Sequence, residues 1–222
     1  MELTQFGDNK ITIYHGSPNI IKIPEFGKGG LKNDYGRGFY TTKNKGLAGE
    51  WAVLWTVKDG YINEYILDTN ELCILHLDRM DINHWIAILM DNREGRYEDP
   101  AVYGLIRDFK KKYLLDLNEF DVIIGWRADD SYFSYVESFA LGLLSIENLS
   151  KVMKLGNLGQ QICLRSKKAF APENIRFVCS YIASADRFYS VAKQRDSEAR
   201  RAYDDLMRYG SPRQGTLIES LI

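Results

Sequence analysis

Three short segments hold residue types that could do chemistry together. In Tyr14-His15-Gly16-Ser17 an imidazole ends an alternating, β-branched run and is followed by glycine. An imidazole there can hydrogen-bond a ribose hydroxyl, and Gly16, lacking a side chain, lets a ligand approach the backbone. In Gly36-Arg37-Gly38-Phe39-Tyr40-Thr41-Thr42 a tyrosine follows a glycine-rich turn. Its ring face suits a flat cation such as a pyridinium. Arg37 sits between two glycines, where its guanidinium fork could reach a pyrophosphate. Each residue also has a plainer reading. A histidine at a strand end is usually structural, a strand tyrosine is most often core, and Arg37 reads equally as a solvated charge.

The third segment runs from Gln161 to Ser166, with Gln160 at the strand margin on the core face beside Ile162. Side chains alternate across a strand, so Ile162 and Leu164 share a core face while Gln161, Cys163 and Arg165 share the other. Gln161 is thereby expected to point into an open cleft. Its amide can hold a hydroxyl but brings no charge and is no base at neutral pH.

These segments need elements to position them. Lys10 to His15 reads as a strand running into the Gly16-Ser17-Pro18 turn. Asn44 is placed to cap a helix whose apolar face is Leu47, Ala48, Trp51, Ala52 and Trp55. Tyr61 to Ile66 and Glu71 to Leu77 read as a strand pair around Asp68-Thr69-Asn70. Asp81 caps a buried helix through Leu89, and Asp99-Pro100 opens a longer one with the stripe Val102, Leu105, Ile106, Phe109 and Tyr113. Phe120 to Trp126 is a strongly β run. Asp129-Asp130 starts a loop or helix, its acidic pair read chiefly as a first-turn feature and otherwise as a substitute base. Ser145 begins another helix. Gln161 to Arg165 and Ile175 to Tyr181 are late strands. A charged amphipathic helix spans Asp186 to Tyr209, and the last dozen residues read as a tail.

The order lacks regular βαβ alternation, so the fold class is α+β. The glycines from 27 to 38 fit neither the dinucleotide fingerprint nor a P-loop, and His15, His76 and His84 lack zinc spacing. The chain has 222 residues, 45% hydrophobic and 27% charged, enough for one sizeable core. A net charge of −1 supplies no global field toward nucleic acid or anionic membrane. Three cysteines, Cys73, Cys163 and Cys179, form no metal-spaced pair and read as small buried hydrophobes in a reducing, cytoplasmic setting. No apolar run reaches the ~20 residues of a membrane span, and the N-terminus lacks signal-peptide character.

In combination, Ile13 to Pro18, Gly36 to Trp51, Asp121 to Asp130 and Gln161 to Ser166 resemble an uncharacterised bacterial ADP-ribosyltransferase-like family in the diphtheria-toxin-like H-Y-E branch. Here the third letter is Gln. The resemblance implies a split β-sandwich with surrounding helices, NAD in the cleft between two small sheets as cosubstrate, and no metal. It implies that His15, Gly16, Arg37, Gly38, Tyr40 and Thr41 bind NAD, with His15 on the adenosine-side ribose and Tyr40 stacked on nicotinamide. Gln161 would take the place of the catalytic Glu, with Tyr40 beside it. Some relatives act as toxins in toxin–antitoxin or phage-defence pairs, which implies a macromolecular acceptor, protein or nucleic acid, and a partner protein. The expected division is an NAD-binding domain over 1–183 and a helical extension over 184–222. The competing expectation is an inactive NAD- or nucleotide-binding module acting through a partner.

Overall fold

The computed structural model describes residues 9–54, 56–92, 100–128, 130–153 and 159–222. Two sheets carry the fold. The first has the order β1 (Lys10–Ser17), β3 (Gly60–Asp68), β7 (Ile175–Ala183), all antiparallel. The second has the order β2 (Phe39–Thr41), β6 (Gln160–Leu164), β5 (Val122–Trp126), β4 (Ile74–His76), with only the β4–β5 pair parallel. A backbone pair links the sheets: Tyr14 N–H donates to Thr42 O at 2.8 Å and Thr42 N–H to Tyr14 O at 2.9 Å. The chain is α+β, as its element order suggests.

Strand alternation sorts side chains into three cores. Ile13, Tyr65 and Leu67 of the first sheet meet Val122, Ile124, Ile162 and Leu164 of the second. The other face of the second sheet, with Ile123 and Cys163, is covered by α2 (Ile82–Asn92), α3 (Pro100–Tyr113), α4 (Asp130–Ala140) and α5 (Ile146–Val152). The outer face of the first sheet holds Ile62 and Ala183 against Ala48, Ala52 and Val53 of α1 (Lys45–Leu54). The caps read from sequence form: Asn44 Oδ1 accepts from Gly46 N at 2.9 Å, Asp81 Oδ1 from Asn83 N at 2.9 Å, and Ser145 Oγ from Asn148 N at 3.3 Å. Trp55, Asp99 and Asp129 lie outside the described residues.

Three expectations are corrected. Tyr61 to Ile66 and Glu71 to Leu77 are not a hairpin. Both edges of β3 are taken, by β1 and β7, so the turn at 68–70 carries the chain into the other sheet, where β4 pairs with β5. Cys73 is exposed and only Cys163 is fully buried, with Cys179 between them. The last dozen residues are not a loose tail. The free N-terminal N–H groups of α5 draw the chain in: Ser145 N donates to Pro212 O and Ile146 N to Thr216 O, both at 2.9 Å, while the Asn148 amide donates to Ser211 O and Pro212 O. Ile218 is then fully buried in the helical core.

The helix α6 (Ala185–Tyr209) packs on that core as well. Its charged interruptions suggested a lightly held appendage, but one of those charges is inward. Arg195 makes a two-pronged ion pair with Glu50 of α1, which is 5% exposed. Tyr203 stacks on Tyr135 at 4.0 Å, and Ala199 is buried. Truncation before Asp186 strands Glu50 without Arg195 and bares Tyr135, so the shortened chain is expected to unfold or aggregate. A soluble truncated protein with a wild-type melting curve would show that residues 185–222 are dispensable.

Candidate functional site

Where the two sheets part, a cleft of about 680 Å³ opens. His15, Gly16, Gly38, Tyr40 and Gln161 all line it, although they come from β1, β2, β6 and their margins. The alternation explains the convergence. His15 follows Ile13 on the inner face of the first sheet. Tyr40 pairs with Cys163 across β2 and β6, which puts it on the same face as Gln161.

Each side chain is held by its neighbours. His15 Nδ1 lies 2.7 Å from the Tyr40 carbonyl oxygen, and the ring packs on Phe39 at 4.3 Å. A carbonyl only accepts, so Nδ1 carries the proton and Nε2 keeps a lone pair. Burial lowers the His15 pKa below the ordinary histidine value, against a smaller upward pull from the Tyr40 carbonyl. His15 is therefore a neutral acceptor at neutral pH, suited to a hydroxyl donor. The Tyr40 hydroxyl donates to Gly36 O at 2.6 Å and accepts from Tyr35 N at 3.0 Å. Burial leads the causes that hold it well above the ordinary tyrosine range. With its hydroxyl committed, Tyr40 offers the cleft a ring and no proton. Gly36 sits at φ +73°, the left-handed region that lets the turn deliver that carbonyl.

Gln161 is 4% exposed, so it forms part of the cleft floor and does not project into an open cleft. Both faces of β6 are covered, one by the first sheet at Ile162 and Leu164 and the other by the helical core at Cys163. Gln161 Nε2 donates to Asp34 Oδ2 at 2.7 Å and to Trp126 O at 3.3 Å.

Other sequence-derived residues serve the scaffold. A Cβ on Gly16 would lie 1.8 Å from Ala48 O, so only glycine there admits α1. A Cβ on Gly38 would lie 2.3 Å from Cys163 Sγ. Thr41 is buried and its hydroxyl donates to Ile162 O at 3.0 Å; it does not line the cleft. Arg37 is exposed and also lies off the lining, whereas Lys28, Lys32 and Arg127 are on it. Asp130 begins α4.

Sequence reasoning passed over four residues. Asp34 is 4% exposed and lines the cleft, its Oδ2 accepting from Ala128 N at 2.8 Å as well as from Gln161. Trp51 lies beneath Arg127, whose guanidinium carbon is 5.0 Å from the ring centre, and Trp51 Nε1 is buried with no partner among the described residues. Asn63, fully buried on β3, accepts from Ile21 N at 3.0 Å and donates to Asn19 O at 3.2 Å; Tyr65 donates to Ile21 O at 2.5 Å. Those two side chains, two residues apart on one strand face, pin the loop that borders the cleft. A polar residue amid the β3 apolar run was the available signal for Asn63. Asp34, in a polar loop, carried none. Among the described residues no cluster of His, Cys, Asp and Glu could hold a metal, and no helix is long and apolar enough to cross a membrane.

Residues 11–177 match a family described as "Protein of unknown function (DUF3990)". The chain belongs to that family. The DUF3990 match runs from β1 into the start of β7 and includes every cleft residue named above, while α6 lies beyond it. Searches of curated proteins and of solved structures give no match.

Two outcomes follow from the scaffold. Gly16→Ala forces a contact that α1 must yield to, so it should cost about 1–3 kcal/mol or more. Gly104→Ala, in α3 with nothing within 4 Å of the new methyl, should instead gain up to about 1 kcal/mol. Denaturant unfolding of the two variants checks both signs. The depressed His15 pKa sets a pH effect. The unfolded chain takes up this proton near the ordinary value of about 6.5, before the folded protein does. Its contribution is thus present above about pH 6.5 and is lost as pH falls toward the folded pKa. NMR titration should find the His15 ring taking up its proton at lower pH than an ordinary histidine, and His15→Phe should flatten this part of the stability profile.

Proposed function

We propose that the protein is an ADP-ribosyltransferase that uses NAD as donor and a macromolecule as acceptor. The observation that carries this reading is the convergence of His15, Tyr40 and Gln161 on one cleft. His15 Nε2 accepts a hydroxyl of the adenosine-side ribose. The Tyr40 ring stacks on the nicotinamide cation. Lys28, Lys32 and Arg127 line the cleft, where Arg37 does not, and they take the pyrophosphate. Gln161 accepts from a hydroxyl of the nicotinamide-side ribose.

The reaction breaks the bond between ribose carbon and pyridinium nitrogen. Its electron pair goes to the nitrogen, nicotinamide leaves neutral, and the ribose carbon takes on oxocarbenium character. An acceptor lone pair then forms the new bond as the acceptor gives up a proton. The loop beside the cleft exposes Ile23, Phe26 and Leu31, which suits an acceptor with a surface of its own.

The neutral Gln161 favours a second reading, an NAD- or nucleotide-binding module without turnover. Labelled NAD incubated with protein and lysate separates the two. Label is expected to appear in protein or nucleic acid, with nicotinamide released; binding without release would favour the module. By calorimetry His15→Ala and Tyr40→Ala should each weaken NAD binding by about 1–3 kcal/mol. Gln161→Ala should lower turnover more than affinity, because its contact strengthens as the bond breaks. Unchanged affinity in both binding variants would remove the proposed site.

A further inference from the structure

An amide in place of a carboxylate poses two problems for the reading above, on which this inference rests. It brings no negative charge toward the ribose carbon. It can also turn either end to the ligand, offering N–H donors where an acceptor is needed.

The surroundings of Gln161 address both. Its Nε2 faces Asp34 Oδ2 at 2.7 Å and the Trp126 carbonyl at 3.3 Å. Neither of these oxygens has a hydrogen to donate when Asp34 is ionised. Only the NH2 end can face them, and Oε1 is left toward the cleft. Asp34 is itself fixed: Ala128 N–H donates to the same Oδ2 at 2.8 Å, and the Asn92 amide donates to the Asp34 main-chain carbonyl at 3.1 Å. The side chain is 4% exposed, so its charge is poorly screened by water. The neighbouring buried Tyr35 hydroxyl is held well above its ordinary range, first by burial and then by Asp34.

We propose that Asp34 is the positioning residue of this site, holding the Gln161 amide with Oε1 toward the ribose and polarising it so that the pair together takes the part of one carboxylate. The negative charge then sits one hydrogen bond behind the accepting oxygen. The Asp34–Gln161 bond draws electron density toward Oε1, as linked hydrogen bonds do in a weakly screened interior.

Asp34→Asn tests the charge apart from the geometry, because one amide oxygen in the place of Oδ2 can still accept from Ala128 and Gln161. It is expected to lower nicotinamide release about 10-fold or more while the NAD dissociation constant moves less than about 3-fold. Gln161→Glu alone sets a second carboxylate against Asp34 and should melt below wild type. The double variant Asp34→Asn/Gln161→Glu relieves that repulsion and puts the charge on residue 161, so it should recover both melting temperature and nicotinamide release. A residue with a merely structural role would not yield rescue by moving the charge. Wild-type release in Asp34→Asn, or a double variant no more active than Asp34→Asn, overturns the proposal. Gln161→Glu as stable as wild type overturns it as well, because the two side chains would then not be in contact. Wild-type protein that neither binds NAD nor releases nicotinamide overturns the ADP-ribosyltransferase reading and with it any catalytic role for the pair; the melting comparison, which needs no NAD, reports separately on the Asp34–Gln161 contact.

Discussion

The backbone pair between Tyr14 and Thr42 is the joint on which the cleft depends. The apolar layer between the two sheets fixes no register by itself; this backbone pair does. One residue further along β1, His15 takes up the Tyr40 carbonyl. The same strand end thus joins the sheets and orients the imidazole. Moving the joint by one residue would turn His15 to the outer face, since strand side chains alternate.

Around that joint the cleft is built from backbone groups that would otherwise be buried without partners. Asn63 and Tyr65 satisfy Ile21 on both its N–H and its carbonyl. Tyr40 and Tyr35 close the glycine turn, and the Tyr35 hydroxyl donates to Trp126 O at 2.5 Å, reaching across to β5. Each unmade bond of this kind would cost about 1–3 kcal/mol, so the polar side chains here are structural before they are chemical. The Tyr40 hydroxyl is committed in this way, and Asp34 holds a loop and Gln161 at once.

The helices extend the same economy of backbone partners to the far end of the chain. The open N-terminus of α5 binds the segment after α6, which returns Ile218 to the core. The Arg195–Glu50 pair ties α6 to α1, the helix that also presents Trp51 to the cleft. The C-terminal helix therefore reaches the site through a single intervening element, although it lies beyond the residues that the DUF3990 family shares.

Periodicity, capping residues and glycine placement were local properties, and the sequence alone determined the helices at Lys45, Ile82, Pro100 and Ile146, the strands at Lys10, Val122 and Gln160, and the face on which Gln161 lies. It also brought His15, Tyr40 and Gln161 forward as a set, because their motifs in combination resemble those of ADP-ribosyltransferase-like proteins. Strand partners were not local. The segments around residues 61–66 and 71–77 read as a hairpin because they are neighbours in sequence, yet hydrogen bonding to β1 and β7 left β3 no free edge, and β4 went to the other sheet. The same limit hid Asp34, whose importance rests on contacts with Gln161 and Ala128, roughly a hundred residues away, and the close approach of Ala48 to Gly16. A residue's type sets what bonds it can make; which groups stand opposite it is decided only when distant segments pack.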